Sequence, residues 1–354
     1  MTRWRMPAEW ERHDATWIAW PHHEPDWPRK LEPVQWVYAE IVRVLARHER
    51  VEVLCNSEAL RESAAGALRA HDVAMQHVNL PIVQTDRVWL RDSAPSFVWN
   101  ESGEVEIMAW DFNAWAKYDN YTRDREVPNA LQHITGLPST CARRPDDPSR
   151  RLVLEGGGID VNGQGRILVT EEWLLSDVQV RNPGMTRADY ERAFAEYLGC
   201  PHTIWLGNGC AGDDTHGHVD DIARFVSPDT VVLAYEEDPA DANHASSVDN
   251  LERLRHAAAV QPLDVVLLPY PRPVIMDGQR LPASYANFYV ANDVVIVPTF
   301  NDANDRIALN TLAAVFPTRT VVGIHAVDLV WGLGTLHCLT QQQPAMSLTV
   351  GELG

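Results

Sequence analysis

The 354-residue sequence is poor in positive charge relative to negative charge. Its 30 lysine and arginine residues face 49 aspartate and glutamate residues, which gives a formal net charge of −19 at pH 7. Because such a surface repels phosphate backbones, the composition argues against nucleic-acid binding. It would attract a small cation, although an acidic surface can also serve solubility alone.

Cysteine is scarce as well, and long apolar runs are missing. The five cysteines are odd in number and widely spaced, at Cys55, Cys141, Cys200, Cys210 and Cys338. No Cys-x-x-Cys pair occurs, so neither a zinc ribbon nor a thioredoxin-type motif is indicated. The first residues do not form the apolar segment of a signal peptide, and no run of about 18 apolar residues predicts a membrane span. We therefore expect a protein of the reducing cytoplasm that is not inserted in a membrane.

Short apolar strands alternate with amphipathic helices along the chain. Residues 51–55 predict a strand, and residues 57–70 predict a helix with Ser57 as its N-cap. Further strands are predicted at 203–206, 264–268 and 320–324, and further helices at 31–48, 187–198, 248–258 and 304–315. This alternation indicates an α/β fold, and no low-complexity linker divides it.

A polar residue followed by a hairpin-like pair of apolar runs recurs four times. The steps from Asp92 to Glu155 and from Glu155 to His218 are both 63 residues, and the step from His218 to Asn287 is 69. The predicted hairpins lie at 96–110, 158–170, 222–234 and 290–297. Repeats of this length favour stacked or circular units, each with a hairpin, a helix and a further strand. An α/β sheet with hairpin insertions remains the alternative, because the spacing is irregular.

A fifth hairpin is missing from any contiguous stretch. The segment around Cys338 could supply it by pairing with an N-terminal strand at 15–20, which would close a ring and remove exposed edges. We therefore expect one domain over residues 1–354, with the two terminal segments closing the ring.

Two glycine- or carboxylate-bearing motifs are candidates for a site. Residues 89–92 (Trp-Leu-Arg-Asp) end a strand-like run before a turn, where active-site carboxylates are often displayed, although an Arg-Asp pair is usually a surface pair. Residues 154–158 (Leu-Glu-Gly-Gly-Gly) would let a backbone approach a ligand closely. They lack the Gly-Lys-Ser/Thr ending of a phosphate loop, and a simple tight turn is the alternative.

Residues 213–221 hold four carboxylates and two histidines. If residues 218–220 are extended, His218 and Asp220 lie on one face. A metal site is the competing interpretation, because His216, His218 and Asp220 are ligands suited to zinc or another divalent ion.

Residues 332–344 place Cys338 between glycines and a polar Thr-Gln-Gln-Gln run. A lone cysteine is more often a buried, inert residue than a nucleophile. Cys55 fits a strand core, and Cys210, beside the acidic segment, is the rival nucleophile. The local context favours Cys338 without deciding the matter by itself.

Taken in order, these segments resemble the agmatine deiminase branch of the guanidino-group-modifying superfamily, which includes bacterial peptidylarginine deiminase. The matching segments are 6–11 (Met-Pro-Ala-Glu-Trp-Glu), 17–21 (Trp-Ile-Ala-Trp-Pro), 89–92, 154–157, 214–220 (Asp-Thr-His-Gly-His-Val-Asp), 285–289 (Tyr-Ala-Asn-Phe-Tyr), 298–302 (Pro-Thr-Phe-Asn-Asp) and 337–342 (His-Cys-Leu-Thr-Gln-Gln). The resemblance implies a five-bladed α/β propeller of ββαβ units with a central active site. It also implies that no metal or other cofactor is used.

The resemblance implies a role for each catalytic residue. Cys338 would attack the central guanidinium carbon and release ammonia, leaving a covalent amidino-cysteine that water hydrolyses. His218 would be the general acid and base. Asp92 and Asp220 would accept paired hydrogen bonds from the guanidinium. Because two carboxylates raise the pKa of a nearby thiol, a bound guanidinium that cancels them would assist deprotonation of Cys338.

Four further residues are expected to serve the substrate. By resemblance, Glu155 orients the substrate or the catalytic groups, and Asp214 contacts the substrate. Trp89 and Trp115 are candidates for holding a cationic tail through cation–π contacts.

The chain departs from the family pattern at three places near the expected substrate tail. Ser93 and Ala94 replace the usual Thr-Gly, His216 replaces the usual Asp, and residues 333–336 (Leu-Gly-Thr-Leu) replace the usual Gly-Gly-Asn-Ile. We therefore expect a deiminase that converts agmatine to N-carbamoylputrescine and ammonia, with peptidyl-arginine or free arginine as alternative substrates. A metal-dependent amidohydrolase and a non-catalytic guanidinium-binding protein are alternatives of other classes. Homo-oligomer formation stays open.

Overall fold

The computed structural model describes residues 4–347. Its strands are β1 (Trp4–Arg5), β2 (His13–Ala19), β3 (Arg50–Leu54), β4 (Val78–Asn79), β5 (Ser96–Asn100), β6 (Val105–Ala109), β7 (Ser139–Cys141), β8 (Asp160–Val161), β9 (Arg166–Thr170), β10 (His202–Leu206), β11 (Ala223–Ser227), β12 (Thr230–Tyr235), β13 (Asp264–Pro269), β14 (Ile275–Met276), β15 (Gln279–Arg280), β16 (Tyr289–Val290), β17 (Val294–Thr299), β18 (Thr320–His325) and β19 (Gln341–Pro344). Its α-helices are α1 (Leu31–Leu45), α2 (Glu58–Ala70), α3 (Leu90–Ser93), α4 (Val127–Thr135), α5 (Glu171–Leu175), α6 (Arg187–Ala193), α7 (His244–Val260), α8 (Asn304–Val315) and α9 (Leu336–Leu339). Within residues 4–347, no helix combines the length and the apolar character needed to cross a bilayer.

One topology recurs in the sheets of this mixed α/β fold. An antiparallel hairpin is followed by a helix and then by a strand that pairs parallel to the second strand of the hairpin. These units are β5-β6-α4-β7, β8-β9-α6-β10, β11-β12-α7-β13 and β16-β17-α8-β18. The order of hairpin, helix and strand is the one that the recurrence in the sequence predicts.

A fifth sheet joins the two ends of the described chain. Strand β19 pairs antiparallel with β2, with Gln341 opposite Trp17 and Gln342 opposite Thr16. Strand β3 then pairs parallel with β2 after the crossover helix α1. The C-terminal segment thus supplies the hairpin partner predicted for residues 15–20. Residues 1–3 and 348–354 of the predicted domain lie outside the described residues.

Local sequence explains why the helices form where they do. Helix α1 buries Val34, Tyr38, Val42 and Leu45, whose spacing of three or four residues gives one apolar face. Helix α2 begins after Ser57, whose side chain accepts a hydrogen bond from the backbone N–H of Leu60, which confirms the predicted N-cap. The predicted helix at 187–198 is α6 followed by a π-helical turn, Phe194–Leu198.

Two short helical turns lie at motifs where the sequence indicated the end of a strand, at 89–92, or allowed an extended chain, at 218–220. Residues 90–93 form the single turn of α3, because the N–H groups of Ser93 and Ala94 bond to carbonyls four residues back. Residues 219–221 form a 3₁₀ turn closed by a hydrogen bond from the N–H of Ile222 to the carbonyl of Val219. Each of these turns precedes a hairpin, and α3 packs against α9 and against the turn at 156–158.

Candidate active site

The thiol of Cys338 lies buried on the short helix α9. Its Sγ is 3.6 Å from Asp220 Oδ2, and Asn287 Nδ2 donates to it at 3.1 Å. The orientation of the Asn287 amide is fixed, because its Oδ1 accepts from the Thr335 hydroxyl at 2.7 Å and from the backbone N–H of His337 at 3.1 Å. The amide nitrogen is therefore the end that faces the sulfur.

Gly157 lies where three of the predicted catalytic side chains converge. A Cβ at this position would lie 2.7 Å from His218 Nδ1, 2.8 Å from Asp92 Oδ1 and 3.2 Å from Asp220 Oδ2. The N–H of Gly157 donates to Asp92 Oδ1 at 2.9 Å. Because Gly157 has no side chain, its backbone can approach these carboxylates closely. The two residues predicted to share one face of an extended chain, His218 and Asp220, converge here from a 3₁₀ turn instead.

His218 is held from one side only. Its Nε2 lies 3.4 Å from Glu155 Oε2, and the edge of its ring packs against Trp173. Its Nδ1 is buried, lies 3.8 Å from Asp92 Oδ1 and makes no hydrogen bond. Asp220 Oδ1 is likewise buried without a partner. Two buried polar atoms without hydrogen-bond partners destabilise the folded protein unless a ligand supplies those partners.

Glu155 anchors the imidazole of His218 and is itself firmly held. Arg181 Nε donates to Glu155 Oε1 at 3.1 Å, and Trp173 Nε1 donates to Oε2 at 2.6 Å. Burial opposes ionisation, yet Arg181 and His218 lower the pKa of Glu155 to about 2. Since an ionised carboxylate can only accept, His218 carries a proton on Nε2.

Electrostatics set the protonation states around the site. Burial lowers the pKa of His218, but Asp92, Glu155 and Asp220 outweigh it and raise the pKa to about 9. Burial, with Asp220 and Glu155, raises the pKa of Asp92 to about 6 against the opposing effects of His218 and Trp115. At neutral pH His218 is therefore an imidazolium beside a carboxylate.

The thiol of Cys338 is kept protonated by its surroundings. Burial raises the pKa of Cys338 well above its ordinary value, and Asp220, Asp221 and Asp92 raise it further. Burial and Asp220 also raise the pKa of Asp221 strongly. In the free protein Cys338 is thus a thiol rather than a thiolate.

A cavity of about 310 Å³ opens beside the thiol. Its lining includes five residues predicted as site residues, Trp89, Asp92, Trp115, Asp214 and Cys338. Trp115 Nε1 donates to Asp92 Oδ2 at 2.8 Å, although the backbone of Trp115 has a positive φ of 59°. Asp214 bonds to Lys117 and to the Tyr118 hydroxyl. The other three do not line the cavity: His218 contacts Asp92, Asp220 contacts Cys338, and Glu155 contacts His218.

The rival cysteines lie elsewhere. Cys210 does not line the cavity, and burial with Asp221 and Asp213 raises its pKa well above the ordinary value. Cys55 is buried in the core and Cys141 is exposed. Of the cysteines, Cys338 alone borders the cavity.

The metal interpretation required His216, His218 and Asp220 to come together, and His216 lies apart from the other two. His216 Nε2 lies 2.9 Å from Ser176 Oγ, and its Nδ1 lies 3.8 Å from Glu172. Within residues 4–347, the potential ligand atoms that cluster within 4.8 Å belong to Asp220, Asp221 and Cys338. Those three residues could hold a cation, and the two aspartates among them also lie beside the sulfur of Cys338.

Sequence reasoning missed four residues that contact the catalytic groups: Glu9, Asp221, Asn287 and His337. His337 Nδ1 lies 2.7 Å from Asp220 Oδ2, and its Nε2 lies 2.8 Å from Glu9 Oε2. Asn287 also donates to Asp221 Oδ1 at 3.0 Å. All four belong to or adjoin the matching segments, which was the available signal, but none stood out by residue type.

Comparisons with known proteins agree with this geometry. The family model described as Porphyromonas-type peptidyl-arginine deiminase matches residues 5–344. An agmatine deiminase from Pseudomonas aeruginosa (strain LESB58) is 35% identical over 367 residues, covering 96% of this chain and 95% of that protein. The structure of an agmatine deiminase of Enterococcus faecalis is 31% identical, with a TM-score of 0.88 over 98% of this chain and 97% of that chain. That of a cysteine-to-serine variant of C. jejuni agmatine deiminase with substrate bound is 26% identical, with a TM-score of 0.86 over 97% of each. This chain therefore belongs to the Porphyromonas-type peptidyl-arginine deiminase family.

Proposed function

We propose that this protein is an agmatine deiminase, a hydrolase that converts agmatine to N-carbamoylputrescine and ammonia. The observation that carries the proposal is the pair of unsatisfied buried atoms, Asp220 Oδ1 and His218 Nδ1, beside the thiol of Cys338. A guanidinium has the planar array of donors and the charge that such a site lacks. The relatives named agmatine deiminase support the same substrate.

The two aspartates that bind the guanidinium differ in the hydrogen bonds that they already accept. Asp220 Oδ1 is buried without a partner and has its full capacity to accept a substrate N–H. Asp92 already accepts from Gly157 and Trp115, one bond on each oxygen, which fixes its plane. Because each carboxylate oxygen has two lone pairs, Asp92 can still accept from the substrate.

The bound cation resolves the high pKa of Cys338. Its charge offsets the carboxylates of Asp92 and Asp220, so that the thiol releases its proton to solvent and becomes a thiolate only when substrate is present. The sulfur, aided by the donor Nδ2 of Asn287, then attacks the central guanidinium carbon.

His218 completes the first half-reaction as general acid. Its Nδ1 carries a proton at neutral pH and faces the site, whereas its Nε2–H is directed to Glu155. Transfer of the Nδ1 proton to the departing nitrogen allows the C–N bond to break, and ammonia leaves. An amidino group stays bonded to Cys338 Sγ.

The second half-reaction uses the same imidazole as base. Neutral His218 takes a proton from water, and the resulting hydroxide attacks the amidino carbon. The C–S bond breaks, the thiol recovers its proton, and the product carries a carbonyl oxygen where a nitrogen had been.

The cavity is suited to a short cationic tail. It is lined by the aromatic side chains of Trp89, Trp115 and Tyr118, and by the carboxylate of Asp214. Aromatic faces and a carboxylate attract the terminal ammonium of agmatine. Its volume of about 310 Å³ suits a small molecule and gives the main reason to prefer agmatine over peptidyl-arginine.

The proposal extends to the architecture and the compartment. The five ββαβ sheets would form the blades of a five-bladed α/β propeller in one domain, with β19 and β2 closing the ring around the site. The turns before the hairpins meet at the site, which supports this arrangement. All five cysteines are unpaired, which supports a cytoplasmic location.

The test is ammonia release from agmatine, free arginine and a peptidyl-arginine at equal concentrations. We expect activity on agmatine that survives a metal chelator and is lost in Cys338→Ser. Activity on peptidyl-arginine alone would show that peptidyl-arginine, and not agmatine, is the substrate. Activity on none of the three would overturn the proposal. Loss of activity on chelation would favour the metal-dependent alternative.

A further inference from the structure

The buried imidazole of His337 lies between two carboxylates. Its Nδ1 is 2.7 Å from Asp220 Oδ2, and its Nε2 is 2.8 Å from Glu9 Oε2. Both distances are those of charge-assisted hydrogen bonds. The ring is distinct from the imidazole of His218, which is the proposed acid and base.

Both carboxylates are ionised. Glu9 contacts Arg224 Nη2 at 2.9 Å and Arg91 Nη2 at 3.3 Å, and it accepts from the backbone N–H of Val290 at 2.8 Å. Burial opposes ionisation, but Arg224, His337 and Arg91 hold the pKa of Glu9 well below its ordinary value.

The same holds on the other side of the ring. Burial opposes ionisation of Asp220, but His337, His218 and Arg224 lower its pKa. An ionised carboxylate has no hydrogen to donate, so each must accept from the ring nitrogen that faces it.

We propose that Glu9 and His337 are positioning residues that orient Asp220 for the substrate. Glu9 holds the ring of His337 at Nε2, and the Nδ1–H of His337 fixes Asp220 through Oδ2. The other oxygen, Oδ1, is buried and unpartnered, and it is left to accept from a guanidinium N–H.

Glu9 couples this arrangement to the rest of the site. Arg91 directly precedes Asp92 and donates through Nε to the carbonyl of His337 at 3.3 Å. Arg224 Nε donates to Asp160. One N-terminal carboxylate thus connects the segments that carry Asp92, Asp220 and Cys338.

The proton between His337 and Asp220 can be observed directly in the native protein. Nitrogen NMR of the full-length protein, prepared with isotope-labelled histidine, reports the protons on each imidazole, and His337→Gln identifies the resonances. We expect Nδ1 of His337 to carry the proton that bonds to Asp220. A His337 without a proton on Nδ1 would overturn the inference.

The kinetic consequence rests on the proposed function and uses a matched pair of variants. In His337→Asn the amide nitrogen takes the place of Nδ1 and still donates to Asp220. In His337→Gln the amide reaches the place of Nε2 and faces Glu9 instead. Both variants replace the ring by a neutral amide, so their difference isolates the hydrogen bond to Asp220.

We expect His337→Gln to lose about 100-fold in kcat/KM for agmatine, since a misplaced binding group can cost that much. His337→Asn should retain about tenfold more activity than His337→Gln, with the difference mainly in KM. Equal values in two folded variants, judged by circular dichroism, would overturn the positioning role. If the native protein released no ammonia from agmatine, the proposed function would fail while the NMR result still decided the state of His337.

Discussion

The side-chain amide of Asn287 donates a hydrogen bond to Cys338 Sγ at 3.1 Å. This side-chain donor and the backbone of Thr335 act on a sulfur that Asp220, Asp221 and Asp92 otherwise surround. A donor at this distance stabilises a thiolate more than a thiol, so it acts in the direction that nucleophilic attack requires.

Asn287→Ala tests this relationship. Because a hydrogen bond to a charged group contributes about 1.5–3 kcal/mol, we expect kcat to fall by roughly 10- to 100-fold. The pH dependence of inactivation by a neutral alkylating agent should shift to higher pH, because the thiolate loses its donor. Asn287→Asp, which keeps the shape and adds a negative charge, should be worse. An alkylation profile that does not move in either variant would show that the contact is structural only.

The close approach at Gly157 gives a second prediction. Gly157→Ala would place a methyl group 2.7–3.2 Å from His218, Asp92 and Asp220, so we expect at least a 100-fold loss of kcat/KM. Gly66→Ala is the matched control, because nothing lies within 4 Å of its added Cβ on helix α2. That substitution should leave activity unchanged and raise the free energy of unfolding by about 0.5–1 kcal/mol. Normal activity in Gly157→Ala would contradict the described geometry.

Trp115→Phe tests the hydrogen bond to Asp92. The indole N–H lowers the pKa of Asp92, which is about 6 in the native protein. Its loss should raise that pKa further, and because Asp92 must be ionised to bind a cation, kcat/KM should begin to fall at a higher pH on the acid side. The measurement is the pH profile of kcat/KM for both proteins. An unchanged acid limb would mean that Asp92 does not control it.

Glu155→Gln tests the basic side of the profile. Glu155 helps to raise the pKa of His218 to about 9, so its neutral replacement should lower that pKa. His218 must be protonated to release ammonia, and kcat/KM should therefore decline at a lower pH than in the native protein. The arginine that Glu155 holds, Arg181, is then left without its carboxylate, so thermal unfolding serves as the control for folding. A basic limb at the same pH in a folded variant would assign that limb to another group.

The sequence predicted those parts of the molecule that depend on local pattern. The hairpins, the crossover helices and the N-cap Ser57 follow from periodicity and capping, which act over a few residues. The helical turns at 90–93 and 219–221 were not predicted, because one helical turn is too short to show a period. Trp115 gave no sign of its left-handed backbone, because that conformation usually calls for glycine or asparagine.

Contacts between distant residues were the part that could not be predicted. Glu9 and His337 are 328 residues apart, and each has an ordinary neighbourhood in the sequence. The charge that each buried group carries depends on which others the fold brings within hydrogen-bond distance. The resemblance to known deiminases indicated Cys338, His218, Asp92 and Asp220 because their motifs are matched in order. The resemblance did not indicate which residues hold these four side chains in place.

The most direct test is the intact mass of the protein quenched by acid during turnover of agmatine. The account predicts a covalent adduct equal in mass to agmatine less ammonia, located on Cys338 by peptide mapping. The adduct should be absent from Cys338→Ser, which should also release no ammonia. Ammonia release that continues undiminished in Cys338→Ser would contradict the account, because the carbon–nitrogen bond would then be broken without the cysteine.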